Sequence, residues 1–487
     1  MTASLSRRHL IGLGLAATTT AALAACTPGG VTPVTTTSAA WNPPVDPMRF
    51  PTGYTWGAAT SAFQIEGSTT ADGRGPSVWD TFCAEPGRVR EGATGDPGAD
   101  HYVRWQSDLD LMAELGIGAY RFSVAWPRIQ PTGSGTVNQK GIDFYRRLVD
   151  GLVDRGIRPG ITLFHWDLPQ ALQDAGGWQS RDTSSRFADY AAIMFDALGD
   201  VPADWFTINE PKTHAFVGHW YGGHAPGLTS PDAAAAAVHH QLLAHGLAVQ
   251  RFRASSAVGR IGIALNLAPI YPLSEVFTDS AKRIDGRENR LFLDPVLLGS
   301  YPTDAIGNLR GLLPANRAAF DALVLDGDLT TISSPNDFLA VQYYGAEGAG
   351  FDGASVPIFP TSSAPWQQIH PEGLFDLLTR IAADYPAIPI VITENGIPDP
   401  TSAVTVDDDH RVEFFRAHFQ QARRAIDAGV PLEAHYVWSM LDNFEWAEGY
   451  EQRWGIVAVD FETQQRTPKK SFTFYQGVIG DNAVAPA

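Results

Sequence analysis

Two acidic residues stand out by their surroundings. Glu210 lies in Thr207-Ile208-Asn209-Glu210-Pro211, and Glu394 lies in Ile392-Thr393-Glu394-Asn395-Gly396. Each follows a short apolar run that reads as a strand. A proline suits the first helical position after Glu210, and Asn-Gly suits a tight turn after Glu394. Taken singly, either glutamate could be a helix-start residue or the edge of a turn. Brought together, they could cleave an acetal. Glycoside hydrolysis passes through an oxocarbenium-like transition state, so one carboxylate can attack the anomeric carbon while a carboxylic acid protonates the leaving oxygen.

Whether the two meet depends on the elements that carry them. Candidate strands are Tyr54–Ala59, Ala119–Val124, Pro159–Phe164, Trp205–Asn209, Ile261–Asn266, Phe338–Tyr343, Ile390–Thr393 and His435–Trp438. Most are continuously apolar, as strands covered on both faces must be. Helical stripes lie between them. Ile142, Tyr145, Leu148, Val149, Leu152 and Val153 form one, ended by Gly156; Phe187, Tyr190, Ala191, Met194, Phe195 and Leu198 form another. Alternation repeated eight times predicts an α/β fold, a single (β/α)8 barrel with its site at the C-terminal strand ends. An open doubly wound sheet is the alternative, but no Gly-x-Gly-x-x-Gly follows the first strand. Residues 45–487 contain no Pro/Ser-rich linker and read as one catalytic domain.

Further motifs follow in order: Phe63-Gln64-Ile65-Glu66-Gly67, Tyr120-Arg121-Phe122-Ser123, His165-Trp166-Asp167-Leu168-Pro169, Tyr343-Tyr344, and Trp438 through Trp446. With the two glutamate motifs, this set resembles glycoside hydrolase family 1, the β-glucosidase family, from about Phe50 to Phe474. The resemblance implies a retaining exo-β-glycosidase, most simply a β-glucosidase acting on β-glycosides or short β-gluco-oligosaccharides. It implies Glu210 as acid/base and Glu394 as nucleophile. It also implies Gln64, His165, Asn209, Tyr344 and Glu445 as hydroxyl-binding residues, with Trp438 and Trp446 stacking on the sugar. An ionised nucleophile needs a cation and donors; Arg121 and Tyr344, at the ends of the second and sixth strands, are placed to supply them. Glu210 must hold a proton, and a neighbouring anionic Glu394 would raise its pKa. One departure is Gln342, where the family usually has Asn before the Tyr-Tyr pair; another is Met440 for a common Leu.

Composition narrows the rest. The chain has 487 residues, 44% apolar and 18% charged, with 35 Lys+Arg against 53 Asp+Glu, a net charge of −18. That balance supports a large core and disfavours nucleic acid as a partner, since approach begins in repulsion. No His/Cys/Asp cluster has metal-ligand spacing, so neither metal nor organic cofactor is expected. Residues 1–26 read as an export signal: Arg7-Arg8, an apolar run from Leu10, and Leu23-Ala24-Ala25-Cys26, which resembles a lipobox acylated at Cys26. A simple cleaved signal is the alternative. Residues 27–44, rich in Thr and Pro, read as a tether that would hold the enzyme to the outer membrane face. Within the family, a 6-phospho-β-glycosidase is disfavoured by Glu445, which would repel a phosphate, and a thioglucosidase by the presence of Glu210. From another class, a lipid-anchored sugar-binding protein would need no paired carboxylates.

Overall fold

The computed structural model describes residues 41, 45–304, 317–351, 354–401 and 404–486. The export signal, with Cys26, and most of the tether lie outside the described residues. Eight parallel strands close on themselves: β1 (Thr55–Ala59), β2 (Ala119–Ser123), β3 (Arg158–Phe164), β4 (Ala203–Asn209), β5 (Gly259–Asn266), β6 (Phe338–Gln342), β7 (Ile390–Glu394) and β8 (Leu432–Trp438). Each neighbours the next in sequence, and β8 pairs with β1 through Trp438↔Ala59. The expected barrel is therefore the observed one, and the doubly wound alternative falls.

The strand sequences read as continuously apolar because both faces are covered. Ala59, Ala119, Phe206, Ala264, Ala340 and Val391 turn into the barrel and pack as one cluster. Their neighbours Ala58, Tyr120, Trp205, Ile263, Leu339 and Ile390 pack outward against the helices. Small residues prevail inside because the interior is filled rather than hollow. At Gly57, an added Cβ would stand 2.4 Å from the Tyr436 ring, so only glycine fits. Four strands begin earlier than their apolar runs. Arg158, Asp204, Arg260 and Glu433 form a polar cluster near the strand starts, with Asp204 taking Arg158 at 2.6 Å and Arg260 at 2.9 Å.

Helices α1 (His101–Leu115), α2 (Gln139–Asp154), α3 (Asp182–Leu198) and α4 (Pro231–Ala254) follow the first four strands. The six residues predicted for the α3 stripe are all buried. In α2, however, Val153 is exposed and Phe144 takes its place. The buried face runs through Phe144, Tyr145, Leu148, Val149 and Leu152, so Val153 falls on its flank. Gly156 does end this helix. Its φ of 71° lets the N–H groups of Gly156 and Ile157 reach the carbonyls of Val153 and Leu152, both at 2.9 Å.

Candidate active site

The C-terminal strand ends bring the predicted residues to one place. In register, Gln342 at the end of β6 stands beside Asn266 at the end of β5 and Glu394 at the end of β7. Glu210 follows β4 with φ 43°, an unusual conformation for a side-chain-bearing residue. Trp166 and Trp446 also have positive φ, at 76° and 51°. All three line a cavity of about 630 Å³, together with His165, Tyr344, Glu394, Trp438 and Glu445. Three of the nine non-glycine residues with positive φ among the described residues thus lie on this one pocket. The two glutamates, far apart in the chain, share one cavity.

Their surroundings differ. Glu394 Oε1 accepts from Arg121 Nη1 at 2.5 Å and Gln342 Nε2 at 2.7 Å, while Oε2 accepts from the Tyr344 hydroxyl at 2.6 Å. Burial holds this carboxyl above its ordinary pKa, with the Arg121 guanidinium and the hydrogen bonds opposing that rise. Arg121 is fully buried and stands over the Phe206 ring. Among the described residues no cation is bonded to Glu210; its carboxyl is hydrogen-bonded by Thr213 and Asn266. Its pKa is pushed up to about 7, chiefly by burial and then by the charge of Glu394. The sequence reading gave that shift to Glu394 alone, whereas dehydration is the larger cause. Glu445 is raised to about 8 for the same two reasons. Of Glu210, Glu394 and Glu445, Glu394 alone has a cation in hydrogen-bond contact among the described residues.

Gln64 and Asn209 stand behind the cavity wall rather than in it. Asn209 Oδ1 accepts from Arg121 Nη2 at 2.5 Å and Gln342 Nε2 at 2.6 Å, so its Nδ2 faces His165 Nε2 at 3.1 Å. Burial and Arg121 hold the imidazole of His165 well below its ordinary pKa. The ring is neutral, Nε2 accepts from Asn209, and Nδ1 carries the proton. Nδ1 is buried with no protein partner among the described residues, and is therefore the donor left for a bound ligand. Gln64 Nε2 bonds Asn443 Oδ1 at 2.9 Å and the Phe444 carbonyl at 3.0 Å, with Glu445 Oε2 at 3.4 Å. It orients the loop that carries Glu445 and Trp446. The family departure also finds its contact: the longer arm of Gln342 reaches both Asn209 and the Glu394 carboxylate.

Residues 46–484 match the family described as Glycosyl hydrolase family 1. The chain belongs to this family. It is 43% identical over 449 residues to β-glucosidase A of Acetivibrio thermocellus, covering 89% of this chain and 99% of the relative. It is 40% identical to a bifunctional β-D-glucosidase/β-D-fucosidase of Bifidobacterium breve, covering 90% and 99%. The structure of a β-glucosidase from Thermotoga maritima in complex with deoxynojirimycin superposes with a TM-score of 0.84 at 42% identity, covering 89% and 99%.

Several lining residues of this family 1 pocket carried no signal in the sequence reading: Lys212, Thr213, Glu347 and Trp366. Asn266 was legible only as a strand end. Replacing Glu394 with Gln removes the charge that helps to keep Glu210 protonated, so the Glu210 carboxyl should titrate below pH 7 in that variant. Carbon-13 NMR of labelled glutamate measures it, and an unchanged or raised value would contradict the coupling.

Proposed function

We propose that the chain is a retaining exo-β-glycosidase of β-glucosidase type, which removes terminal β-D-glucosyl residues by double displacement. The observation that carries this reading is the asymmetry of the two glutamates in one cavity. Glu394, ionised against Arg121, attacks the anomeric carbon. Glu210, protonated near neutrality, gives its proton to the departing glycosidic oxygen. Forming the glycosyl ester removes the negative charge of Glu394, which lowers the pKa of Glu210 and fits it to take a proton from water. That water then attacks the anomeric carbon and frees Glu394. In this scheme His165 Nδ1 and Glu445 bind sugar hydroxyls, and Trp438 and Trp446 cover the apolar face of the ring. Gln64 and Asn209 hold those groups in place.

The named relatives support the substrate class, and their glucose-like inhibitor complexes support a pyranose in the pocket. Proton NMR should show β-glucose as the first product from an aryl β-glucoside, with turnover reduced by roughly 10⁴-fold or more in Glu394→Ala. The α-anomer as first product would contradict double displacement. Tight sugar binding without turnover would instead favour a binding protein.

We also propose that the enzyme is exported and anchored by acylation of Cys26. Arg7-Arg8 and Leu23-Ala24-Ala25-Cys26, ahead of residue 46 where the family match begins, support this reading. Cys26→Ser should release the protein from the membrane fraction; continued retention would contradict the anchor.

A further inference from the structure

A second group of charges lies behind the pocket, outside its lining, and takes no part in the chemistry described above. Asp399 stands in the loop that leaves β7 just beyond Glu394, and Asp442 in the loop that leaves β8 shortly before Glu445. Both are buried, and so is Lys469, at the start of helix Lys470–Asp481. The Lys469 ammonium donates to Asp399 Oδ2 at 2.7 Å and to Asp442 Oδ1 at 3.0 Å. Arg411, buried on helix Asp409–Asp427, donates to Asp399 Oδ1 at 2.6 Å and to the Arg453 carbonyl at 3.0 Å. Arg453 in turn donates to Asp442 Oδ2 at 3.1 Å. The two loops are therefore joined twice, once through Lys469 and once through Arg411 and Arg453. Asp399, Asp408 and Asp442 are set against Arg411, Arg453 and Lys469, so these charges balance.

The loop after β8 needs such a fixture. Between Asp442 and Gly455 its one piece of regular structure is the turn Trp446–Glu448, and the backbone has positive φ at Trp446 and Gly449. Its base is pinched shut. Asp442 Oδ1 accepts from the Gly455 N–H at 2.9 Å, and the Asp442 N–H donates to the Val457 carbonyl at 2.9 Å. A Cβ on Gly455 would stand 2.0 Å from the Asp442 nitrogen, so only glycine permits this approach. From that base the loop reaches the cavity, which Glu445 and Trp446 line. A small rotation at the base is magnified at the tip, and misplacing a positioned group by about 1 Å can cost about 10²-fold. Stability alone does not account for the cluster, because buried ion pairs often contribute no more than apolar side chains of equal volume. What they add is direction: Asp442 takes donors from Gly455, Lys469 and Arg453 on three sides.

We propose that Asp442, held by Lys469 and Arg453, is a positioning residue for sugar recognition. The buried charges keep the loop after β8 at a fixed distance from the strand end that carries Glu394, and so set where Glu445 meets the ring. This role rests on the β-glucosidase reading for what occupies the pocket. Asp442 does not line the cavity and acts through Glu445. A residue that only supported the fold would weaken binding by the same factor whether or not the Glu445 carboxylate were present. A residue that acts through Glu445 loses most of its effect once that carboxylate is gone.

The test is a double-mutant cycle on the full chain, with deoxynojirimycin binding measured by calorimetric titration in Asp442→Asn, Glu445→Gln and the pair. Asp442→Asn keeps the shape but leaves one acceptor oxygen for donors that arrive from three sides. It should weaken binding about tenfold in the parent, the size of one lost hydrogen bond to a charged group, and no more than about threefold in the Glu445→Gln background. The titration stoichiometry counts folded protein, so an unfolded fraction does not pass for weaker binding. A loss below threefold in the parent, or above threefold in the Glu445→Gln background, would overturn the role. Should Asp442→Asn fail to fold, Arg453→Lys keeps the charge, gives up the fork that reaches Asp442 and the Val459 carbonyl, and is read in the same cycle by the same limits. A parent that binds deoxynojirimycin but leaves an aryl β-glucoside intact would overturn the β-glucosidase reading instead; the cycle, read from binding, still decides the role of Asp442.

Discussion

One buried cation decides the chemistry of this pocket. Arg121 comes from the middle of β2, has no exposed surface, and bridges Glu394 Oε1 and Asn209 Oδ1. Glu210, Glu394 and Glu445 line the cavity in a dehydrated setting that favours their neutral forms. Setting a guanidinium against one of them selects which is negative. The same choice assigns the other roles, since a negative Glu394 helps to keep Glu210 and Glu445 protonated. Placing Arg121 there costs desolvation, offset by its two short bonds and by the Phe206 ring beneath it.

The barrel makes such a placement possible. Parallel strands end on one face, so residues from β2, β4, β6 and β7 meet within hydrogen-bond distance although they are scattered through the chain. Arg121 and Gln342 link the same two acceptors, Asn209 and Glu394, and so tie four strand ends into one rigid group. The orientation of the Glu394 carboxylate follows from that frame. Oε1 faces the buried donors Arg121 and Gln342, neither of which lines the cavity, while Oε2 lies beside Tyr344, which does. Oε2 is therefore the oxygen on the cavity side.

Much of this was legible in the sequence, because apolar runs mark strands covered on both faces and polar residues at their ends mark the rim. The eight strands, and Glu210, Glu394, Tyr344 and His165 at their ends, follow from that pattern and from motif order; Arg121 follows from its motif, but it stands in mid-strand rather than at the expected end of β2. The polar strand starts did not, because Arg158, Asp204, Arg260 and Glu433 are satisfied by one another rather than by apolar packing. The α2 stripe was misjudged at Val153 because each four-residue step, Tyr145 to Val149 to Val153, advances about 40° around the helix and carries Val153 off the buried face. The reach of Gln342 could be read only from coordinates: one added methylene decides whether an amide touches the nucleophile. Thr213, Lys212, Glu347 and Trp366 arrive on turns and loops whose path no periodicity encodes.

In the double displacement proposed above, Glu394 is the charged group that bonds to the sugar. A 2-deoxy-2-fluoro-β-glucoside with a good leaving group, which forms the glycosyl-enzyme faster than it is hydrolysed, tests this directly when followed by peptide mass spectrometry. The account predicts one fluoroglucosyl adduct per chain, on the peptide carrying Glu394. An adduct on Glu210 or Glu445, or inactivation with no adduct, would contradict it.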